Sequence, residues 1–229
     1  MKKREGFSLA ELVLSVFIFS FIAASLATIV STTNRHMFQN YRTNIIKTNV
    51  LISMKSIQNR LSVATRVDLP AAGTGDFRLA FATNVDQNTG CYPIYAAAGQ
   101  PAWHYYCLAG SGLYYYTGPI NGGVNACGTP APTIWCSNNP VANGCYGVAA
   151  CGGVGGTLLM ESVLPSLPGG ALFSRRAADG VNEVDTVRVL LRSQWRAAAP
   201  VTAGADFRTS QRDVDTTMDT VVRFNRSQP

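Results

Sequence analysis

The sequence predicts an α+β chain: one long N-terminal α-helix, membrane-spanning in its first half, packed on an antiparallel β-sheet that carries a disulfide-rich insertion. Three observations predict it. Among 229 residues no glycine falls between Gly6 and Gly73 and no proline before Pro70, so nothing breaks a helix over that span. Beyond Pro70, short alternating and aromatic runs bounded by glycine read as strands. From Gln87 to Met160 there is no Lys, Arg, Asp or Glu, yet this stretch holds all six cysteines, eight of the nine tyrosines and 14 of the 21 glycines.

The first element begins behind a basic leader, residues 1–6, with Lys2, Lys3 and Arg4 ahead of Gly6. Residues 7–30, Phe7 to Val30, carry a single charge, Glu11. As a helix this segment is roughly 36 Å long, enough to cross a bilayer. The basic leader predicts a cytoplasmic N-terminus and a C-terminal part outside the cytoplasm. A secretory signal would have a shorter apolar run followed by a small-residue cleavage site. Here the helical pattern continues instead, through an amphipathic half over residues 31–66. Apolar residues recur at Phe38, Tyr41 and Ile45, then at Val50, Met54, Ile57, Leu61 and Ala64. The second series is spaced 4, 3, 4 and 3, which marks one buried face. A coiled coil would sustain that repeat over more heptads, so the face is assigned to the chain's own globular part.

Residues 67–229 form that β-rich part. Strands are expected at Phe77–Phe81, Leu158–Val163, Val184–Arg192 and Thr220–Phe224. A hairpin is expected from Trp103–Leu108 and Leu113–Thr117, which flank Ala109-Gly110-Ser111-Gly112. Residues 118–156 are an insertion rich in Gly, Pro and Asn. The cysteines, Cys91, Cys107, Cys127, Cys136, Cys145 and Cys151, lack the close pairs of a zinc site and read as up to three disulfides of open connectivity. Disulfides again place this part outside the cytosol.

The residues at the N-terminus carry a specific resemblance. The leader ending in Gly6, followed by Phe7-Ser8-Leu9-Ala10-Glu11 and an uncharged run, resembles the class III leader of type IV pilins and type II secretion pseudopilins. That resemblance implies a pilin fold and cleavage by prepilin peptidase between Gly6 and Phe7, with N-methylation of Phe7. It gives Glu11 the role of neutralising the N-terminal ammonium of a neighbouring subunit during assembly. An intramembrane carboxylate is costly without such a task. The implied partners are other pilins or pseudopilins met through their N-terminal helices, the prepilin peptidase and an inner-membrane assembly platform. The implied location is the bacterial inner membrane, then a periplasmic pseudopilus or an extracellular pilus. The larger minor subunits share the succession of tyrosine-bearing hairpin, strand, long alternating strand and terminal strand, so a minor subunit at or near the filament tip is the expected place.

Other function classes fit poorly. The net charge is +6, but the C-terminal arginines alternate with aspartates, unlike a nucleic-acid track. Gly152–Gly156 lacks the Lys-Ser or Lys-Thr of a phosphate loop, and no hydrolase or zinc-protease motif occurs, so no enzyme, metal or cofactor is expected. Asp213, Asp215 and Asp219 lack the turn glycine of a calcium loop. A second reading makes the uncharged Cys- and Tyr-rich region a binding module displayed on the filament, as an adhesin or a receptor for DNA or cargo.

Overall fold

A computed structural model describes residues 8–87, 89–95, 97, 99–120, 126–127, 146–148, 150–176, 186–195 and 214–224. It has one long N-terminal helix, α1 (Leu9–Leu61), packed on antiparallel sheets. The chain divides into two compact units. The described part of the first is residues 8–44, all of it helix but for Ser8.

In the second unit, residues 45–61 of α1 pack through Val50, Ser53, Met54, Ile57 and Leu61. These include four of the five positions picked out by the 4-3-4-3 spacing, and Ala64, the fifth, is buried just beyond the helix. Fully burying side chains of this kind contributes about 1.5–3 kcal/mol each, so this face outweighs any helix propensity. The helix stops at Leu61, five residues before the expected end at Arg66. Arg66 instead opens β1 (Arg66–Leu69). The β-branched residues Val63, Thr65 and Val67 favour extension, and Arg66 and Val67 find ladder partners in Ala82 and Phe81.

Two sheets form, where the sequence reading expected one. The first has the order β1, β3 (Arg78–Thr83), β4 (Ala102–Ala109), β5 (Gly112–Pro119), β6 (Thr157–Met160). In the second, β10 (Val214–Arg223), β9 (Thr186–Trp195), β8 (Phe173–Arg175) and β2 (Gly75–Asp76) lie in that order, with β7 (Val163–Leu164) also on β9. The segment Leu158–Val163, read as one strand, is divided between them. Ser162 adopts a positive φ of 57°, β6 ends on β5, and β7 begins on β9. Glu161 and Ser162 interrupt the apolar residues here, but pattern alone does not tell such a kink from exposed positions of one strand.

The expected hairpin forms from β4 and β5 and turns at Gly110–Ser111, with Tyr105 opposite Tyr116 and Tyr106 opposite Tyr115. Strand β9 alternates as expected. Val187, Val189, Leu191 and Ser193 are buried, while Arg188 and Arg192 face outward and bind Asp219 and Asp215 of β10. The main core joins the helix face to Leu79, Phe81, Tyr106, Leu113, Phe173, Val189, Leu191 and Phe224 of the two sheets.

Candidate functional site

The start of α1 is built by a reciprocal cap. The Ser8 amide donates to Glu11 Oε2 at 3.1 Å, and the Glu11 amide donates to Ser8 Oγ at 3.3 Å. This is the Ser-x-x-Glu capping box, in which two otherwise orphaned helix donors are satisfied and a carboxylate sits at the positive end of the helix dipole. The Ser-x-x-Glu spacing of Ser8 and Glu11 is itself a sequence-level signature of a helix start. Glu11 therefore has a local structural task. Gly6 and Phe7 lie outside the described residues.

Every large apolar side chain from Leu9 to Val30 is at least half exposed, from 50% at Ile18 to 83% at Leu9. The helix is apolar on all sides, as a bilayer span is and a one-faced surface helix is not. It is long and apolar enough to cross a membrane. Its hydroxyls suit that solvent. Ser20, Ser25, Thr28 and Thr32 each donate to the carbonyl four residues back, at 2.8–2.9 Å, and Ser15 to that of Leu12 at 2.9 Å. None of these hydroxyls faces hydrocarbon without an acceptor.

The second candidate region is the stapled hairpin. Cys91 is bonded to Cys127 and Cys107 to Cys151, so each bridge runs from outside the insertion into it. Cys136 and Cys145 lie outside the described residues. The described part of the insertion covers the face of the first sheet opposite the helix, where Tyr146, Val148 and Cys151 pack on Ala80, Tyr105, Cys107 and Tyr116. Tyr146 is buried and donates its hydroxyl to the Asp68 carboxylate; burial, then that carboxylate, pushes its pKa well up. Tyr116 donates to the carbonyls of Ala150 and Gly153, both at 3.3 Å. Gly156 lies against the same ring so closely that a Cβ there would come within 2.5 Å of the Tyr116 hydroxyl.

On the helix-facing side of the hairpin a basic residue meets the uncharged segment. The Arg60 guanidinium carbon stands 4.2 Å from the Tyr115 ring centroid, and its Nη1 donates to Tyr106 Oη at 3.2 Å and to Ser56 Oγ. His104 Nδ1 is 2.8 Å from Tyr115 Oη and 3.2 Å from Thr117 Oγ1. Burial, and secondarily the Arg60 charge, lowers His104 to about 4, so the ring is neutral at ordinary pH. Burial likewise raises Tyr106 to about 12. Sequence reasoning placed His104 in a strand but had no signal bringing Arg60 to it.

Of the acidic residues weighed for calcium, Asp215 and Asp219 are each engaged by an arginine through two guanidinium nitrogens, which lowers both carboxyls. Asp213 lies outside the described residues. Among the described residues, no group of three or more His, Cys, Asp or Glu is placed to hold a metal ion. Compared with known proteins, the chain matches no family model, no curated protein and no solved structure.

Proposed function

We propose that the chain is a type IV pilin-like structural subunit, cut by prepilin peptidase between Gly6 and Phe7 and assembled through its N-terminal helix into a type IV pilus or a type II secretion pseudopilus. One observation carries the reading: an all-round apolar helix with one carboxylate, Glu11, in its first turn. The cap on Ser8 can be made by an amide as well as by a carboxylate, so the cap alone does not require a charge there. The leader motif and the disulfides of the polar part agree with insertion in the inner membrane and a globular part outside the cytoplasm. The size and the insertion favour a minor subunit near the tip.

The decisive experiment is intact-mass analysis of the chain expressed with and without active prepilin peptidase. The expected product lacks residues 1–6 and carries one methyl group on Phe7. An unaltered precursor mass in the presence of the peptidase overturns the proposal.

A second reading, a filament-displayed binding module, draws on the bridges. Cys127 and Cys151 fasten both ends of a segment that contains no Lys, Arg, Asp or Glu. Deleting residues 128–145 separates the readings. Lost filaments indicate scaffolding, and intact filaments with lost adhesion or uptake indicate binding.

A further inference from the structure

Arg60 differs from the other arginines seen in ion pairs. Arg66, Arg78, Arg188 and Arg192 each face an aspartate. Arg60 faces the Tyr115 ring and two hydroxyls, and among the described residues no carboxylate reaches it. Its Nη1 donates to Ser56 and Tyr106, and Tyr115 meets the guanidinium through its hydroxyl as well as its ring, so every partner seen is neutral. The stacking and the two bonds hold the planar fork in place, which removes most of the side-chain entropy a ligand would otherwise have to overcome.

This guanidinium lines a half-open cavity of about 570 Å³, together with Asn59, Val63, Asn84, Tyr95 and His104. The volume is in the range of small-molecule sites and far exceeds a single acidic side chain. One wall is rigid. Asn84, at φ 57°, donates to the carbonyls of Tyr95 and Gly99 and accepts from the amides of Ile94 and Tyr95. Asn59 also lines the cavity and is exposed. The lining is mainly carbon, and His104 contributes a polar edge without adding charge.

From one fixed, unmatched cation in a chiefly apolar cavity, we infer that Arg60 and its surroundings bind a small organic monocarboxylate with an apolar or aromatic body. The carboxylate accepts from the Arg60 guanidinium, Asn59 adds an amide donor, and the body lies against Val63 and Tyr95. A single guanidinium beside a neutral imidazole matches one negative charge, not two.

The test uses the full chain in detergent micelles, with benzoate as probe and benzamide as its uncharged isostere. Binding is followed by calorimetry and by the His104 ring resonances. Saturable benzoate binding is expected at millimolar concentration, with no saturation by benzamide. Arg60→Gln should weaken benzoate by about tenfold or more. Because that change also touches the packing on Tyr115, Asn59→Glu supplies a second variant. It leaves Arg60 in place, lies on an exposed rim, and should occupy the guanidinium from within, with a similar loss. Equal binding of benzoate and benzamide overturns the inference. So do failure of benzoate to saturate and undiminished benzoate affinity in Asn59→Glu.

Discussion

The Arg60 guanidinium lies over the Tyr115 ring, 4.2 Å from its centroid, and Tyr115 in turn hydrogen-bonds with His104. Burial, and secondarily this fixed cation, keeps the His104 imidazole neutral and makes the fold sensitive to acid at this position. His104 has its pKa lowered from 6.5 to about 4. The unfolded chain therefore takes up this proton first, and stability is full above the ordinary histidine value and declines as pH falls toward 4. The loss from this group is at most about 3 kcal/mol. Urea midpoints measured across that window should fall with acid. His104→Phe, which keeps a ring in the aromatic cluster, should flatten this part of the slope.

Glu11 has two tasks to separate: the cap seen on Ser8 and the proposed pairing with a neighbour's ammonium. Glutamine at this position preserves the capping box but removes the charge. Glu11→Gln should leave helix content and membrane insertion unchanged and abolish filament incorporation. Ser8→Ala should cost about 1 kcal/mol of helix-end stability and leave incorporation largely intact. Circular dichroism and sheared-filament immunoblots read the two effects. Normal incorporation of Glu11→Gln would end the charge-pairing role.

Each described disulfide closes a long stretch of chain, with sequence separations of 36 and 44 residues. On chain-entropy grounds either is worth about 4 kcal/mol. The pair Cys107→Ala and Cys151→Ala should lower the unfolding midpoint and loosen the cover over Tyr116. Faster hydrogen exchange across β5 than in the wild type is the expected signature.

Packing makes two further demands. Ile57→Ala empties a fully buried site where helix and sheets meet and should cost about 2–5 kcal/mol. Gly156→Ala must displace the Tyr116 ring and should cost about 1–3 kcal/mol. Replacing Tyr116 by Phe in the Gly156→Ala background should recover part of that loss, because the hydroxyl is among the atoms met. Thermal unfolding of the three variants measures both effects.

Much of this structure was legible from local pattern. The spacing of Val50, Met54, Ile57 and Leu61 gave the buried helix face, because helical periodicity is a property of neighbours in the chain. The two aromatic runs around Gly110 gave the hairpin, while its register came with the structure. The alternation through Val187, Val189 and Leu191 gave the inward face of β9. Long-range pairing was not legible. Arg66 looks helical until Ala82 is known to lie beside it. Leu158–Val163 reads as one strand because Glu161 and Ser162 could equally be its solvent-facing positions. The cysteine partners had no local signal either. Arg60 and His104 are 44 positions apart, and only the docking of α1 on β4 and β5 brings them together.

The two bridges interleave: Cys107 lies between Cys91 and Cys127, and Cys127 lies between Cys107 and Cys151. A single proteolytic cut anywhere from Cys91 to Cys151 therefore releases no fragment, because one bridge or the other spans it. A nicked chain keeps its full covalent mass for as long as the bridges stay oxidised. Gels of the nicked protein should show one band without reductant and separate pieces with it. Damage to the uncharged segment is thereby prevented from unthreading the hairpin that supports it.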